Sequence, residues 1–171
     1  ELEHVIFSDN SKLRIIEKEA FDTCKFKNFK LPPSVECIRY AAFFHCAKLS
    51  KVEISSDSKL KTIELGAFAD TQINSITIPP SLTNLEYGWC DDTGLLTNIN
   101  VLPNNPVYKL YDDKFIIGKS SIGEKKYEVL VFCVRNVEKV TIPDFIKIIG
   151  PTAFQLCTKL QQISIPSQVI Q

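Results

Sequence analysis

Seven short stretches of the chain share one rhythm, apolar–variable–apolar. The pairs are Val5/Phe7, Phe29/Leu31, Val52/Ile54, Ile76/Ile78, Ile99/Val101, Val140/Ile142 and Ile163/Ile165. Residues two apart lie on one side of an extended backbone, so each pair predicts a short strand with one buried face. Successive first members stand 24, 23, 24, 23, 41 and 23 residues apart. Pro follows several pairs, as in "ITIPPS" (76–81), "VTIPDF" (140–145) and "ISIPSQ" (163–168). It ends the strand because it lacks an N–H and fixes its own φ.

Between strands, further apolar positions recur in order. Val35, Leu82 and Ile146 follow six residues after the first member of a pair; Leu13 and Leu60 follow eight after. Three further on come Ile16, Ile38, Ile63, Leu85 and Ile149. Then comes Ala-Phe, at Ala20-Phe21, Ala42-Phe43, Ala67-Phe68 and Ala153-Phe154, with Gly88-Trp89 read into the same slot of the fourth unit. Cys24, Cys46 and Cys157 close their units, and Thr71 and Asp92 are read as substitutes. A unit of about 23 residues that repeats residue types at fixed offsets is one coil of a solenoid: no coil buries its apolar face alone, but stacked neighbours do. Phe then fills the broad end, Ala sits where the next coil approaches, and Cys fits the last tight turn as a small hydrophobe. Phe21, Phe43 and Phe68 are expected to stack rung over rung.

The 41-residue interval holds two strand-like runs, "DKFIIG" (113–118) and "KKYEVLVFCV" (125–134), with a polar turn between them. They predict a hairpin with a long tip. Its second arm is apolar from Val129 to Val134, so both faces should be covered. The hairpin is expected to replace one coil's strand and return leg; the alternative is a break between two short solenoids at Pro103–Pro106.

"ITIPPSLTNLEYGW" (76–89) and "VTIPDFIKIIGPTAFQLCTKLQQISIP" (140–166) resemble the BspA-type leucine-rich repeat, with its Ile-x-Ile-Pro strand, Ile-Gly step and Ala-Phe-x-x-Cys close. "NPVYKLYDDKFIIG" (105–118) resembles the insert that interrupts such arrays. Only Ile149-Gly150 keeps the Ile-Gly step. Together, period and resemblance predict an α/β leucine-rich-repeat solenoid, horseshoe-like. Its parallel β-sheet would line the concave face, with short strands or helical turns on the return leg and one inserted hairpin. A single domain is expected over 1–171: repeats 1–102 and 137–171, insert 103–136, part of a longer array. The resemblance implies a cell-surface or secreted protein that binds host or neighbouring-cell proteins, and it carries no catalytic motif.

Composition narrows the partners. Lys plus Arg and Asp plus Glu are 20 each, so the net charge is zero and no global field draws in nucleic acid or an anionic membrane. Membrane attachment would need an anchor that this sequence lacks. There is no Met, and the chain reads as processed or excised from a longer one. Both ends, at Glu1 and Gln171, lack a polar capping unit, which predicts exposed apolar surface and end-to-end association.

Candidate chemistry is sparse. His4 and His45 lie about two coils apart, too far for a shared metal. The six cysteines allow bridges, but three occupy one repeated slot and read as buried thiols. Asp91-Asp92 and Asp112-Asp113 read as turns. No enzyme, metal or cofactor is therefore expected. What remains is the exposed row beside the core pairs: Lys30, Lys51, Glu53, Ser75, Thr77, Asn98, Asn100, Lys139, Thr141, Gln162 and Ser164. A protein-binding face there is the leading expectation, with the hairpin tip Lys119–Lys126 second. A structural stalk without its own ligand is the alternative function.

Overall fold

A computed structural model describes residues 2–170. Its strands, in chain order, are β1 (Ile15–Ile16), β2 (Asn28–Lys30), β3 (Cys37–Ile38), β4 (Lys51–Glu53), β5 (Thr62–Ile63), β6 (Ser75–Ile78), β7 (Asn84–Leu85), β8 (Asn98–Val101), β9 (Tyr108–Tyr111), β10 (Phe115–Gly118), β11 (Val129–Cys133), β12 (Lys139–Thr141), β13 (Ile148–Ile149) and β14 (Gln162–Ser164). Alternate strands stack in parallel. The apolar-x-apolar stretches form the ladder β2-β4-β6-β8, and the single apolar residues of the return leg form a second ladder, β1-β3-β5-β7. Each coil thus contributes two strands facing one core.

The predicted helical side of the α/β horseshoe is absent: no helix forms among the described residues. The backbone explains why. The return turns after β1, β3, β5, β7 and β13 each place one left-handed residue two positions before the Phe slot and another two after it: Glu19/Thr23, Ala41/His45, Gly66/Asp70, Gly88/Asp92 and Thr152/Leu156. In the first coil Glu19, Phe21 and Thr23 donate their N–H groups sideways to Tyr40, Ala42 and Phe44 carbonyls of the next coil. Ala20, Asp22 and Cys24 donate instead to carbonyls three residues back. Half of the donors are committed between coils, so an i→i−4 helix cannot close. Strands on both sides also stack at about 4.8 Å, without a wide helical layer to wedge the coils into a concave arc.

The left-handed markers correct the fourth coil by one residue. Gly88 and Asp92 flank Cys90, so Cys90 and not Trp89 occupies the Phe slot. Phe68 N–H accordingly donates to Trp89 C=O, as Phe43 N–H does to Ala67 C=O. Trp89 stands in the Ala slot, and the Cys-slot substitute is Thr93, not Asp92. The reason is volume: a small Cys leaves the broad end empty, and the indole next to it fills the space while staying 2% exposed.

The expected aromatic column is present. Phe21 and Phe43 stack at 5.3 Å with planes 16° apart, and Phe43 and Phe68 at 5.1 Å and 10°. Phe26 and Phe29 close round them edge-on or tilted. Cys in the closing slot does more than fill space. Cys46 Sγ donates to Phe21 C=O (3.0 Å) and Thr93 Oγ1 to Phe68 C=O (3.0 Å), each reaching the preceding coil's slot residue. All six thiols are free.

The first predicted pair, Val5/Phe7, forms no strand, but both side chains pack half-buried against the core, the Phe7 ring lying 5.7 Å from that of Phe29. The ends at Glu1 and Gln171 lie outside the described residues. The insert is a three-stranded antiparallel meander, β9-β10-β11, and not a plain hairpin. β9 went unseen because "YKLY" alternates weakly beside a run of turn residues. β11 is buried at all five positions and then pairs in parallel with β13, so it replaces the return-leg strand of one coil. Two apolar clusters fill the interior, and Ile99 packs against both.

Candidate protein-binding surface

Parallel register makes the outward row of β2-β4-β6-β8 a ladder of like positions. Asn28 pairs with Lys51, Lys51 with Ser75 and Ser75 with Asn98; Lys30 pairs with Glu53, and Thr77 with Asn100. The apolar partners Phe29, Val52 and Ile76 point inward and are buried, which forces their neighbours outward. Lys30, Lys51, Glu53, Asn98 and Asn100 are exposed, and Ser75 and Thr77 half-buried. A shallow groove of about 510 Å³ runs over Lys30, Lys51, Glu53, Ser75 and Thr77. Lys51 Nζ lies 2.7 Å from Glu53 Oε1. That hydrogen bond and charge, with Lys30 adding a smaller pull, hold the Glu53 carboxyl below its ordinary range.

Lys139, Thr141, Gln162 and Ser164 do not continue this sheet. They pair as Lys139 with Gln162 and Thr141 with Ser164 in a separate two-stranded ladder, β12-β14. The meander stands between the two ladders, and its Asp112–Lys114 turn shares a second shallow groove with Lys139 and Thr141. The continuous row expected from the period is therefore two patches. The 41-residue interval was the signal that a break falls here. The insert's tip is exposed from Ser120 to Lys126, and Lys109 and Lys119 both reach over the Tyr127 ring, at 4.5 and 5.1 Å.

Other side chains form a scaffold that periodicity did not disclose. Glu64 and Glu86, each following a core Ile or Leu, accept the Tyr40 and Leu65 N–H groups of the preceding coil at 2.8 Å. Asn105 is buried with all its polar atoms used: its Nδ2 donates to Pro79 and Leu82 carbonyls, and its Oδ1 accepts from Val107 and Tyr108 N–H. Tyr108 Oη accepts the Leu85 N–H (2.9 Å), covering the open edge of β7. Asp112 and Asp113 are both left-handed turn residues. Among the described residues no three His, Cys, Asp or Glu side chains converge on a metal-sized site. No helix there is long and apolar enough to cross a membrane.

Coils of about 23 residues with two parallel strand ladders over a shared apolar column define a leucine-rich-repeat solenoid. The sequence matches the BspA type leucine rich repeat region in six copies, over residues 1–117 and 119–171, and the chain belongs to that family. Among solved structures it is similar to the pneumococcal vaccine antigen PcpA, at 27% identity and a TM-score of 0.83 over 96% of this chain and 45% of that one. It also shares its fold with a leucine-rich-repeat protein of Eubacterium ventriosum (20%, TM-score 0.72, 94% and 47% covered). A leucine-rich cell-surface protein of Faecalibacterium prausnitzii is similar in the same way (22%, 0.67, 84% and 42%). The chain thus spans less than half the length of these structures. A comparison with curated proteins finds no match.

Proposed function

We propose that this chain is part of a cell-surface repeat protein and binds protein partners, of host or neighbouring cells, through the outward row of β2-β4-β6-β8. The observation that carries the reading is the in-register ladder itself. Lys30, Lys51, Glu53, Asn98 and Asn100 stand on a rigid sheet above a fully packed core, so a partner meets them with little loss of side-chain support. Likeness to a vaccine antigen supports surface exposure. Lys139, Thr141, Gln162 and Ser164 form a second, smaller contact patch. At the C-terminal edge Ile163 and Ile165 are 37% and 54% exposed, a surface on which a second copy would stack end to end.

The test is binding of the purified chain to immobilised extracellular-matrix and cell-surface proteins. The triple variant Lys30→Glu/Lys51→Glu/Asn100→Arg should reduce binding at least about tenfold with an unchanged thermal midpoint, because a few contacts dominate an interface. Unchanged binding would refute this face. Absence of any binding, with function restored by an unrelated spacer of equal length, would favour the stalk. Sedimentation at rising concentration tests the end contact, and a monomer throughout would reject it.

A further inference from the structure

Arg135 is buried to 3% exposure with no carboxylate paired to it among the described residues. Its Nη1 donates to Ala153 C=O (3.1 Å) and to Cys157 Sγ (3.9 Å), and its guanidinium lies 4.2 Å from the Phe132 ring centre. Its Nε has no partner at all. A buried cation without a counter-ion is costly, and it favours any neighbour able to become an anion. The neighbours here are thiols. Cys133 and Cys157 both aim their Sγ atoms at the same acceptor, Val134 C=O, at 3.5 and 3.7 Å. Cys157 is half-buried, open to a small solute, whereas Cys133 is fully enclosed.

We propose that Cys157, Cys133 and Arg135 form a peroxide-sensitive dithiol that, on oxidation, closes a disulfide between the inserted strand β11 and the last coil. The Cys157 thiolate, held by Arg135, attacks a hydroperoxide oxygen. The S–O bond forms, the O–O bond breaks, and hydroxide or alkoxide leaves, giving Cys157 sulfenic acid. The Cys133 sulfur then attacks the Cys157 sulfur. The S–S bond forms, the S–O bond breaks, and the departing hydroxide takes the Cys133 proton as water. Two thiols lose two electrons and one peroxide gains them.

Charge at the site supports these roles. The neighbouring Cys133 thiol foremost, and then Arg135, lower the Cys157 thiol against the opposing effect of burial. The neighbouring Cys157 thiol and burial raise Cys133, while Arg135 and Lys114 pull it the other way. Cys90, the third thiol near Arg135, is pushed up to about 12 by burial, with Asp91 adding a smaller push. Cys24 and Cys37 are as accessible as Cys157 but neither accepts a hydrogen bond from a buried arginine; Arg39, which acts on Cys37, is exposed and paired with Glu64, and burial is the main influence raising both thiols. They are internal controls within the same molecule.

The reduced chain is treated with equimolar hydrogen peroxide and mapped by non-reducing peptide mass spectrometry. A Cys133–Cys157 cross-link is expected, and Cys133→Ser should instead leave a Cys157 sulfenic acid that dimedone traps. Iodoacetamide at neutral pH should label Cys157 about fivefold faster than Cys24 or Cys37, its thiolate fraction outweighing its lower intrinsic nucleophilicity. Arg135→Lys should keep that preference and Arg135→Met abolish it. If Arg135→Met does not fold, the pH profile of wild-type labelling decides: the Cys157 midpoint should fall below those of Cys24 and Cys37. Oxidation spread evenly over the exposed thiols, or equal labelling midpoints, would overturn the proposal.

Discussion

Trp89 stands edge-on to Phe68, ring centres 6.3 Å apart and planes at 89°, from a slot that holds Ala in the coil before. Its other face meets Phe132 of the insert at 5.9 Å, so one indole joins the regular coils to the meander. Trp89→Ala should cost about 3–5 kcal/mol, the range for truncating a fully buried aromatic. Trp89→Ala/Cys90→Phe restores the Ala-Phe order of the other coils and should recover most of that loss. Urea midpoints of the three proteins check this. A double variant no better than the single one would mean that the insert requires the indole itself.

Asn105 satisfies two carbonyls of one turn and two N–H groups of the next segment at once. Removing it takes that partner from three buried backbone groups, Leu82 C=O and the Val107 and Tyr108 N–H groups, while Pro79 C=O keeps the Leu82 N–H; each is worth about 1–3 kcal/mol when unpaired. Asn105→Ala should therefore destabilise by about 3 kcal/mol or more. Asn105→Asp, equal in shape, keeps the acceptor but turns a carboxylate toward Pro79 and Leu82 carbonyls, and should not rescue. Calorimetric unfolding of both variants measures the effect.

The repeat was legible because core positions obey a spacing that surface positions do not. Phe29, Val52 and Ile76, and the column Phe21-Phe43-Phe68, followed directly from it. The one-residue slip at Trp89 arose because bulk was matched to bulk; the constant five-residue step from Ile16, Ile38, Ile63 and Ile149 to Phe points to Cys90 after Leu85. The return leg looked compatible with helical turns because side-chain spacing does not reveal where backbone donors go, and here they go sideways. The outward row was located because alternation fixes its direction. Its division was not, since the path of β9 depends on Asn105 and Tyr108 capping the preceding coil, contacts between residues more than 20 positions apart.

Gly150 occupies the position that Glu17, Arg39, Glu64 and Glu86 hold in other coils. A Cβ there would lie 2.6 Å from Tyr87 Cε1 and 3.1 Å from Leu130 C=O. Gly150→Glu, though it copies the neighbouring coils, should lower the melting temperature by several degrees, as about 1–3 kcal/mol of overpacking does in a domain of this size. Tyr87→Ala made in the same chain should relieve part of it. Equal melting temperatures for wild type and Gly150→Glu would show that the coils separate there without cost.

Glu36 joins three coils: Arg14 Nε lies 2.8 Å from its Oε1 and Lys61 Nζ 2.7 Å from its Oε2. Hydrogen bonds from Arg14 and then Lys61 hold its carboxyl down from 4.5 to about 2. A carboxyl lowered by folding adds stability that is complete above its unfolded value and disappears as pH falls through its folded one. Wild type should therefore exceed Glu36→Gln in stability at neutral pH, lose that advantage between pH 4.5 and about 2, and match the variant below. Because the pairs face water, the advantage should also vanish in about 1 M salt, where the Debye length is about 3 Å. Urea titrations across pH at two ionic strengths measure both. A difference that persisted at high salt would mean that Glu36 acts through packing of its stem, not through charge shared across the coils.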